Sequence, residues 1–165
     1  MAGLRKALLG VAVAAALAAP AGSAGAASLD AAVANFLGAD IVDIIAAADR
    51  VESFQLEAKT DVIEPAVQGY AVLEKGPNLS VGQVEKIRAL IFAEASYLLD
   101  TSKRCPFLAD AGLVFHAGER QASVVLSQSC KLWGFTRAAE RPKIEDYDPV
   151  EAEIKNFIAE LFDKP

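Results

Sequence analysis

Along this chain the spacing of hydrophobic residues alternates between the period of a helix and the period of a strand. The order of these stretches limits the possible folds more than any other feature. Apolar residues recur every three or four positions in three stretches, which predicts helices there. These helices cover residues 28–49, 80–100 and 149–162. In four other stretches apolar and polar residues alternate, which indicates half-buried strands. These strands cover residues 50–59, 67–74, 113–117 and 122–130.

Local signals mark where the predicted helices begin and divide. Gly38 divides the first helical stretch into two short helices, with Asp40 capping the second. Ser80 and Gln83 match a capping box, in which each side chain binds the backbone amide of the other residue. Pro149 occupies a position typical of the first residue of a helix.

The connections between the predicted strands are short, and this favours antiparallel hairpins. Thr60–Pro65 joins the first pair and Gly118–Gln121 joins the second. The Gly76-Pro77 dipeptide is a strong breaker, so the second strand is expected to end before it. We therefore expect an α+β fold in which two hairpins make a four-stranded, mainly antiparallel sheet with helices packed on one face.

Residues 1–26 have the three parts of a secretory signal peptide. Arg5 and Lys6 precede an uncharged apolar run, Ala7–Ala19, and Ala24-Gly25-Ala26 provides small residues for cleavage near Ala26. The run is shorter than the ~20 residues that span a bilayer, and no cysteine near the cleavage site could carry a lipid. We expect an exported protein, periplasmic or secreted, with no membrane anchor after cleavage.

The remaining residues, 27–165, have the length of a single α+β domain. The net charge of the chain is −6, and removal of Arg5 and Lys6 with the leader makes it −8. An acidic surface repels phosphate backbones and anionic lipids, so nucleic acid is not an expected partner. The expected partner is a protein or a small molecule.

Cys105 and Cys130 are the only cysteines. A thiol nucleophile, a redox pair and two metal ligands are the functional alternatives to a disulfide. The chain has no Cys-x-x-Cys, and its single histidine leaves a zinc site short of ligands. In an exported protein a structural disulfide is favoured, and it would stabilise the fold by ~3 kcal/mol. We expect no metal and no cofactor.

His116 is the only histidine, and it lies near the end of a predicted strand. A general base needs a nucleophile and an orienting acid nearby, and the sequence pairs it with neither. Ser123, Ser127 and Ser129 alternate on one face without a Gly-x-Ser-x-Gly motif around them. The favoured interpretation is a solvated histidine beside a turn. A carboxylate within hydrogen-bond reach of His116 in a pocket would favour an enzyme instead.

Three aromatic residues lie close together in the predicted second hairpin and just after it: Phe115, Trp133 and Phe135. If exposed, they would make a candidate binding patch. Packing in the core against the last helix is the favoured alternative, because aromatic side chains usually fill core volume. The acidic residues from Glu140 to Glu153 lack the glycine of a calcium loop and are interpreted as a solvated linker and helix start.

Several short motifs follow one another at suggestive spacing. In chain order they are Asp49-Arg50-Val51-Glu52, Gly69-Tyr70-x-Val72, Gly76-Pro77-x-Leu79, Leu98-Leu99-Asp100, Lys103-x-Cys105-x-Phe107 and Cys130. The set resembles a group of small exported bacterial proteins, often lipoproteins, with no established activity. Members of that group often carry a further cysteine where this chain has Ser127, so no metal or redox role is carried over. The resemblance implies the order of elements and the exported class only.

These observations favour an exported, non-catalytic binding protein or envelope accessory protein. The alternative is a small exported hydrolase with a site around His116. A cleft that holds His116 beside a carboxylate would favour the hydrolase, whereas a continuous apolar patch near Trp133 would favour the binding protein.

Overall fold

A computed structural model describes residues 28–57, 66–137 and 140–163. The predicted signal peptide, residues 1–26, lies outside these residues and stays a prediction. The helices are α1 (Ala31–Leu37), α2 (Ala39–Ala47), α3 (Val81–Phe92) and α4 (Glu151–Phe162). The strands are β1 (Arg50–Leu56), β2 (Ala66–Val67), β3 (Tyr70–Asn78), β4 (Ala111–Ala117), β5 (Arg120–Ser127), β6 (Leu132–Thr136) and β7 (Lys143–Asp146).

The strands form one curled antiparallel sheet of seven strands in the order β2-β3-β1-β4-β5-β6-β7. The α+β class is therefore right, and the four-stranded sheet of two hairpins is wrong. The predicted pairs are present as β1–β3 and β4–β5. However, β1 also pairs with β4, so the two hairpins merge into one sheet, and β6 and β7 extend it beyond β5.

The missed strands lack the alternation that reveals a half-buried strand. Every residue of β6 is buried, because the sheet is covered on both faces at this point. A strand buried on both faces has no polar side and cannot be identified by a period of two. The predicted strand that extended to Cys130 ends at Ser127, and Lys131 then adopts a positive φ of 55° before β6 begins. The expected acidic linker forms β7.

The second predicted strand, 67–74, contains a tight turn and ends later than expected. Gln68 and Gly69 both have positive φ, 50° and 83°, as a two-residue hairpin turn of type I′ requires, and this turn separates β2 from β3. β3 continues through Gly76-Pro77 to Asn78, so the predicted break is wrong. The Ser53 hydroxyl donates to Pro77 O at 2.7 Å, and the β1–β3 register shifts nearby.

The predicted helix starts are confirmed in part. Gly38, at φ +80°, separates α1 from α2 as expected, but the Asp40 side chain does not cap α2. The capping box of Ser80 and Gln83 is present. α3 ends at Phe92 rather than near Asp100, and α4 begins at Glu151 after a 3-10 turn that contains Pro149.

The sheet separates two apolar clusters. The main core lies between one face of the sheet and the helices, and Val33, Ile45, Ile87 and Phe157 are fully buried in it. A smaller cluster lies on the opposite face and consists of Leu56, Val67, Tyr70, Ala109 and Val125. The curl brings the β2–β3 turn over this face, where Gln68 Nε2 donates to Ser123 O at 2.9 Å and to Gly134 O at 3.0 Å.

Candidate functional site

Four charged or titratable residues meet where β1, β3 and β4 adjoin. We call Arg50, Glu52, Lys75 and His116 the His116 cluster. Arg50 is directly opposite His116 in the β1–β4 register, and Glu52 is opposite Val114. Directly opposed residues, and residues two apart on a strand, point to the same face. The register therefore places Arg50, Glu52 and His116 together on the face that bears the smaller apolar cluster.

Both ring nitrogens of His116 have partners. Nε2 lies 2.7 Å from Glu52 Oε2, and Nδ1 lies 3.1 Å from Arg50 Nη2. A guanidinium can only donate hydrogen bonds, so Nδ1 must accept from Arg50. Nε2 then carries the proton and donates it to Glu52. The contacts thus select one neutral tautomer of His116 in this arrangement.

Glu52 is the centre of the His116 cluster. Its Oε1 accepts from Lys75 Nζ at 2.7 Å and from Arg50 Nη1 at 3.2 Å. The hydrogen bond from Lys75, with a smaller effect from His116, lowers the pKa of Glu52 below its usual value, although burial opposes this shift. The stabilising contribution of the carboxylate is therefore complete above the usual pKa, and is lost as pH falls through the lowered pKa.

His116 is not the solvated histidine that the sequence indicated. Its side chain is only 7% exposed, and that of Glu52 is 12% exposed. The pairing is not predicted from the sequence, because the two residues are 64 positions apart and only the β1–β4 register brings them together. The signal that could have found it is the charged pair Arg50 and Glu52 on a single strand face.

The pairing does not assemble catalytic machinery within the described residues. No hydroxyl or thiol bonds to His116 there, since its two nitrogens contact Arg50 and Glu52. A serine-type mechanism needs one ring nitrogen directed at a nucleophile while the other is oriented by an acid. Ser123 bonds Gln68 only through its backbone carbonyl, and Ser127 Oγ lies 3.3 Å from Ser129 Oγ. The geometry is that of a structural ion-pair cluster.

A groove of about 640 Å³ lies beside the His116 cluster. We call it the β5 groove, since it follows the start of β5, where Arg120 precedes by three residues the first β5 residue that pairs with β6, Ser123. Its lining includes Val67 and Gln68 from the β2–β3 turn, Val114 from β4, and Gln121 and Ser123 from β5. This volume lies within the range of about 300–1,000 Å³ typical of small-molecule sites.

The sheet register places the β5 groove next to the His116 cluster. Gln121 is directly opposite His116, and Ser123 is directly opposite Val114. Glu52 is opposite Val114 on the other side of β4. The part of the groove lined by Gln121 and Ser123 is therefore next to the cluster on one face of the sheet, one strand spacing away, or about 4.8 Å. Ile44 and Ala122, which also line the groove, belong to the main core on the other face.

Polar groups with unused bonding capacity line the groove. Gln68 Oε1 is buried and has no hydrogen-bond partner among the described residues, although its Nε2 donates twice. Arg137 is neutralised by Asp40 and by Glu140. Arg120 is exposed at the groove and forms no ion pair among the described residues. The groove thus combines an apolar floor with an amide, the carboxylate of Glu119 and the guanidinium of Arg120.

The aromatic residues do not form a surface patch. Phe115, Trp133 and Phe135 are all 0% exposed, because they lie on the face of the sheet that the helices cover. Trp133 packs against Tyr97 with ring centroids 4.7 Å apart and against Phe135 at 5.3 Å. The candidate binding patch is therefore wrong, and these side chains are part of the core.

Cys105 and Cys130 are joined, which confirms the expected pairing. The bond links the loop before β4 to the turn between β5 and β6, with the two Cα atoms 6.0 Å apart. Among the described residues no three His, Cys, Asp or Glu side chains are arranged to hold a metal ion, and no helix is long and apolar enough to cross a membrane.

Neither a protein-family model, nor a curated protein, nor a solved structure matches this chain. The function must therefore be inferred from the His116 cluster and the β5 groove.

Proposed function

We propose that this protein is an exported, non-catalytic binding protein that holds a small molecule in the β5 groove. The signal-like leader and the Cys105–Cys130 bond support export, since disulfides persist in oxidising compartments. The observation that carries the binding proposal is the groove itself: about 640 Å³, with an apolar floor and polar groups that converge on it.

The lining indicates the kind of ligand. Val67 and Val114 offer contact to an apolar body, while Gln121 and Ser123 offer hydrogen bonds. A buried acceptor without a donor costs free energy, so a ligand whose donor reached Gln68 Oε1 would recover that cost. The ligand is therefore an organic molecule with both apolar and hydrogen-bonding parts.

The hydrolase alternative has one observation in its favour, the hydrogen bond of His116 to a carboxylate. It requires the opposite ring nitrogen to receive a proton from a nucleophile, and that nitrogen accepts from Arg50. Loss of hydrolytic activity in a His116→Gln variant, on any ester or amide substrate of the purified protein, would revive this alternative.

Filling the groove tests the binding proposal. Val114→Phe would place a larger side chain on the groove floor, whereas Val81→Phe makes the same change on α3, where Val81 is 76% exposed. We expect fragments from a panel of amides, alcohols and organic acids to shift the backbone amide resonances of the groove in the parent and in Val81→Phe. Val114→Phe should lose those shifts at unchanged fold, as judged by the remaining resonances. Fragments that shift only residues elsewhere, or equal binding by all three proteins, would contradict the proposal.

A further inference from the structure

The backbone of β5 has one open side where the strand borders the β5 groove. Asp110 N donates to Leu126 O at 2.9 Å, so the backbone groups of Leu126 point towards β4. Successive residues of a strand direct their N–H and C=O groups to opposite sides, and the β4–β5 register contains no shift. The N–H and C=O of Gln121, five residues before Leu126, therefore point away from β4, towards the side on which β6 pairs.

β6 ends before it reaches Gln121. Its last residue, Thr136, is opposite Ser123. Glu140 N then donates back to Arg137 O at 3.4 Å, so the chain leaves the line of β6 at this point. Gln121 is exposed, and its N–H and C=O have no hydrogen-bond partner among the described residues. Such an edge can pair with a further strand.

The β5 groove reaches both faces of the sheet around this edge. Val114 and, from the β2–β3 turn, Val67 line it on the face of the smaller apolar cluster. Ile44 of α2 and Ala122 line it on the face of the main core. An extended peptide presents successive side chains to opposite faces of a sheet. The groove therefore offers such a peptide a backbone edge and room for side chains on each face.

The charges at the groove do not select an ion. Glu119 and Arg120 both line it, and their charges are opposite. Arg137, the other charged lining residue, is paired with Asp40 and Glu140. An uncharged main chain is therefore a better match to this lining than an anion or a cation.

We infer that the β5 groove binds a short uncharged peptide in extended conformation, paired antiparallel with β5 at Gln121. The inference rests on the proposed binding function and names the class of its ligand. Addition of a strand to a sheet edge takes affinity from main-chain hydrogen bonds and specificity from alternate side chains. The central peptide residue, directly opposite Gln121, exchanges both hydrogen bonds with it.

The two faces of the groove indicate the side chains of the peptide. The central residue points to the face of Gln121, where Val114 lies and where Gln68 Oε1 is buried without a donor. A side chain with a hydroxyl suits this position. Its two neighbours point to the face of Ile44 and Ala122, which favours apolar residues. β-Branched residues favour strands, so N-acetyl-Val-Thr-Val amide is the peptide of choice.

N-methylation of this peptide tests the pairing. One derivative carries the methyl group on the threonine nitrogen, whose N–H points at Gln121 O, and the matched control carries it on the last valine nitrogen, whose N–H points away. We expect the control to bind like the unmethylated peptide and the threonine derivative to bind about tenfold more weakly. Groove amide resonances report the dissociation constants. The Gln121 amide should also gain protection against hydrogen exchange when the unmethylated peptide binds.

Two variants test the same contact from the protein side. Gln121→Pro removes the N–H that points to the groove, and proline is tolerated at a strand edge that has no partner. Gln121→Ala removes the side chain and keeps the N–H. We expect Gln121→Pro to bind the unmethylated peptide about tenfold more weakly than Gln121→Ala does. If Gln121→Pro does not fold, the two methylated peptides still decide the question on the parent protein.

The outcomes separate the two proposals. Equal affinity for the three peptides, or an unprotected Gln121 amide in the complex, would overturn the inference and leave the binding function standing. The same holds if the groove takes neutral fragments and excludes every peptide. Shifts of the groove resonances that depend on protein concentration alone would overturn the inference in favour of a second copy of the chain. Only the absence of groove binding by fragments and peptides alike would remove the proposed function as well.

Discussion

His116 is buried between a carboxylate and a guanidinium, and these contacts stabilise the sheet. His116 links β4 to Glu52 of β1, and Glu52 links onward to Lys75 of β3. The cluster therefore ties three neighbouring strands together on one face. A surface histidine beside a turn would make no such connection, and its loss would change the free energy of unfolding by no more than about 0.5 kcal/mol.

His116→Ala should consequently lower the free energy of unfolding by about 1–3 kcal/mol, because Glu52 Oε2 loses its donor in a mostly buried position. His116→Gln, which can still donate to Glu52, should cost less than the alanine variant. Urea unfolding near neutral pH measures both. If His116→Ala unfolds at the same urea concentration as the parent, the cluster does not hold the strands together.

At the scale of elements, β3 continues through Gly76-Pro77, a dipeptide that usually ends a strand. Gly76 has no Cβ, and a Cβ at this position would collide with Ser53 Oγ and with the ring of Phe162 from α4. Pro77 lacks an amide hydrogen, which the sheet accommodates near a register shift, and its carbonyl is bound by Ser53. Gly76-Pro77 therefore lets β3 pack closely against Ser53 and Phe162 and does not end the strand.

Gly76→Ala should therefore destabilise the fold by about 1–3 kcal/mol through overpacking against α4. Gly82→Ala is the matched control, because a Cβ at Gly82 of α3 meets nothing within 4 Å and alanine favours a helix. This control should be neutral or stabilising by up to about 1 kcal/mol. Thermal unfolding of the two variants gives the comparison, and equal melting temperatures would show that β3 and α4 do not pack as described.

Periodicity could predict the elements that present one polar face, and it failed where both faces are covered. The capping box at Ser80 is a local device, so the sequence was sufficient to predict it. β6 is buried on both faces, and its pairing depends on β5 and β7, which no local pattern reports. The turn at Gln68-Gly69 was concealed inside an apolar alternation that continued through it.

The candidate site was harder to predict than the core, for a physical reason. A groove exists only once several chain segments are assembled, and the β5 groove takes its lining from the β2–β3 turn, β4 and β5. The aromatic residues stood out in the sequence because of their size, but size favours burial. The residues that line the groove are small or polar and attract no notice individually.

For the whole molecule, the disulfide adds a covalent link between two segments that hydrogen bonds also join, since Lys103 Nζ donates to Cys130 O at 3.0 Å. Cys105 lies in the loop before β4 and Cys130 in the β5–β6 turn, and the sequence separation is 25 residues. Closing a loop of this length restricts the unfolded chain and should stabilise the fold by ~3 kcal/mol in the chain-entropy model. The large main core suggests that the sheet still forms without the bond, since a domain of this size buries most of its apolar surface.

The double variant Cys105→Ser/Cys130→Ser should therefore fold but unfold at a lower urea concentration, with a loss of about 2–4 kcal/mol. Replacing both cysteines avoids a free thiol that could form intermolecular bonds. A reducing agent should destabilise the parent to a similar extent and should have no effect on the double variant, which separates loss of the bond from the effect of the serines. If reduction leaves the parent unchanged while thiol labelling shows two free cysteines, the bond does not contribute to the stability of the folded domain.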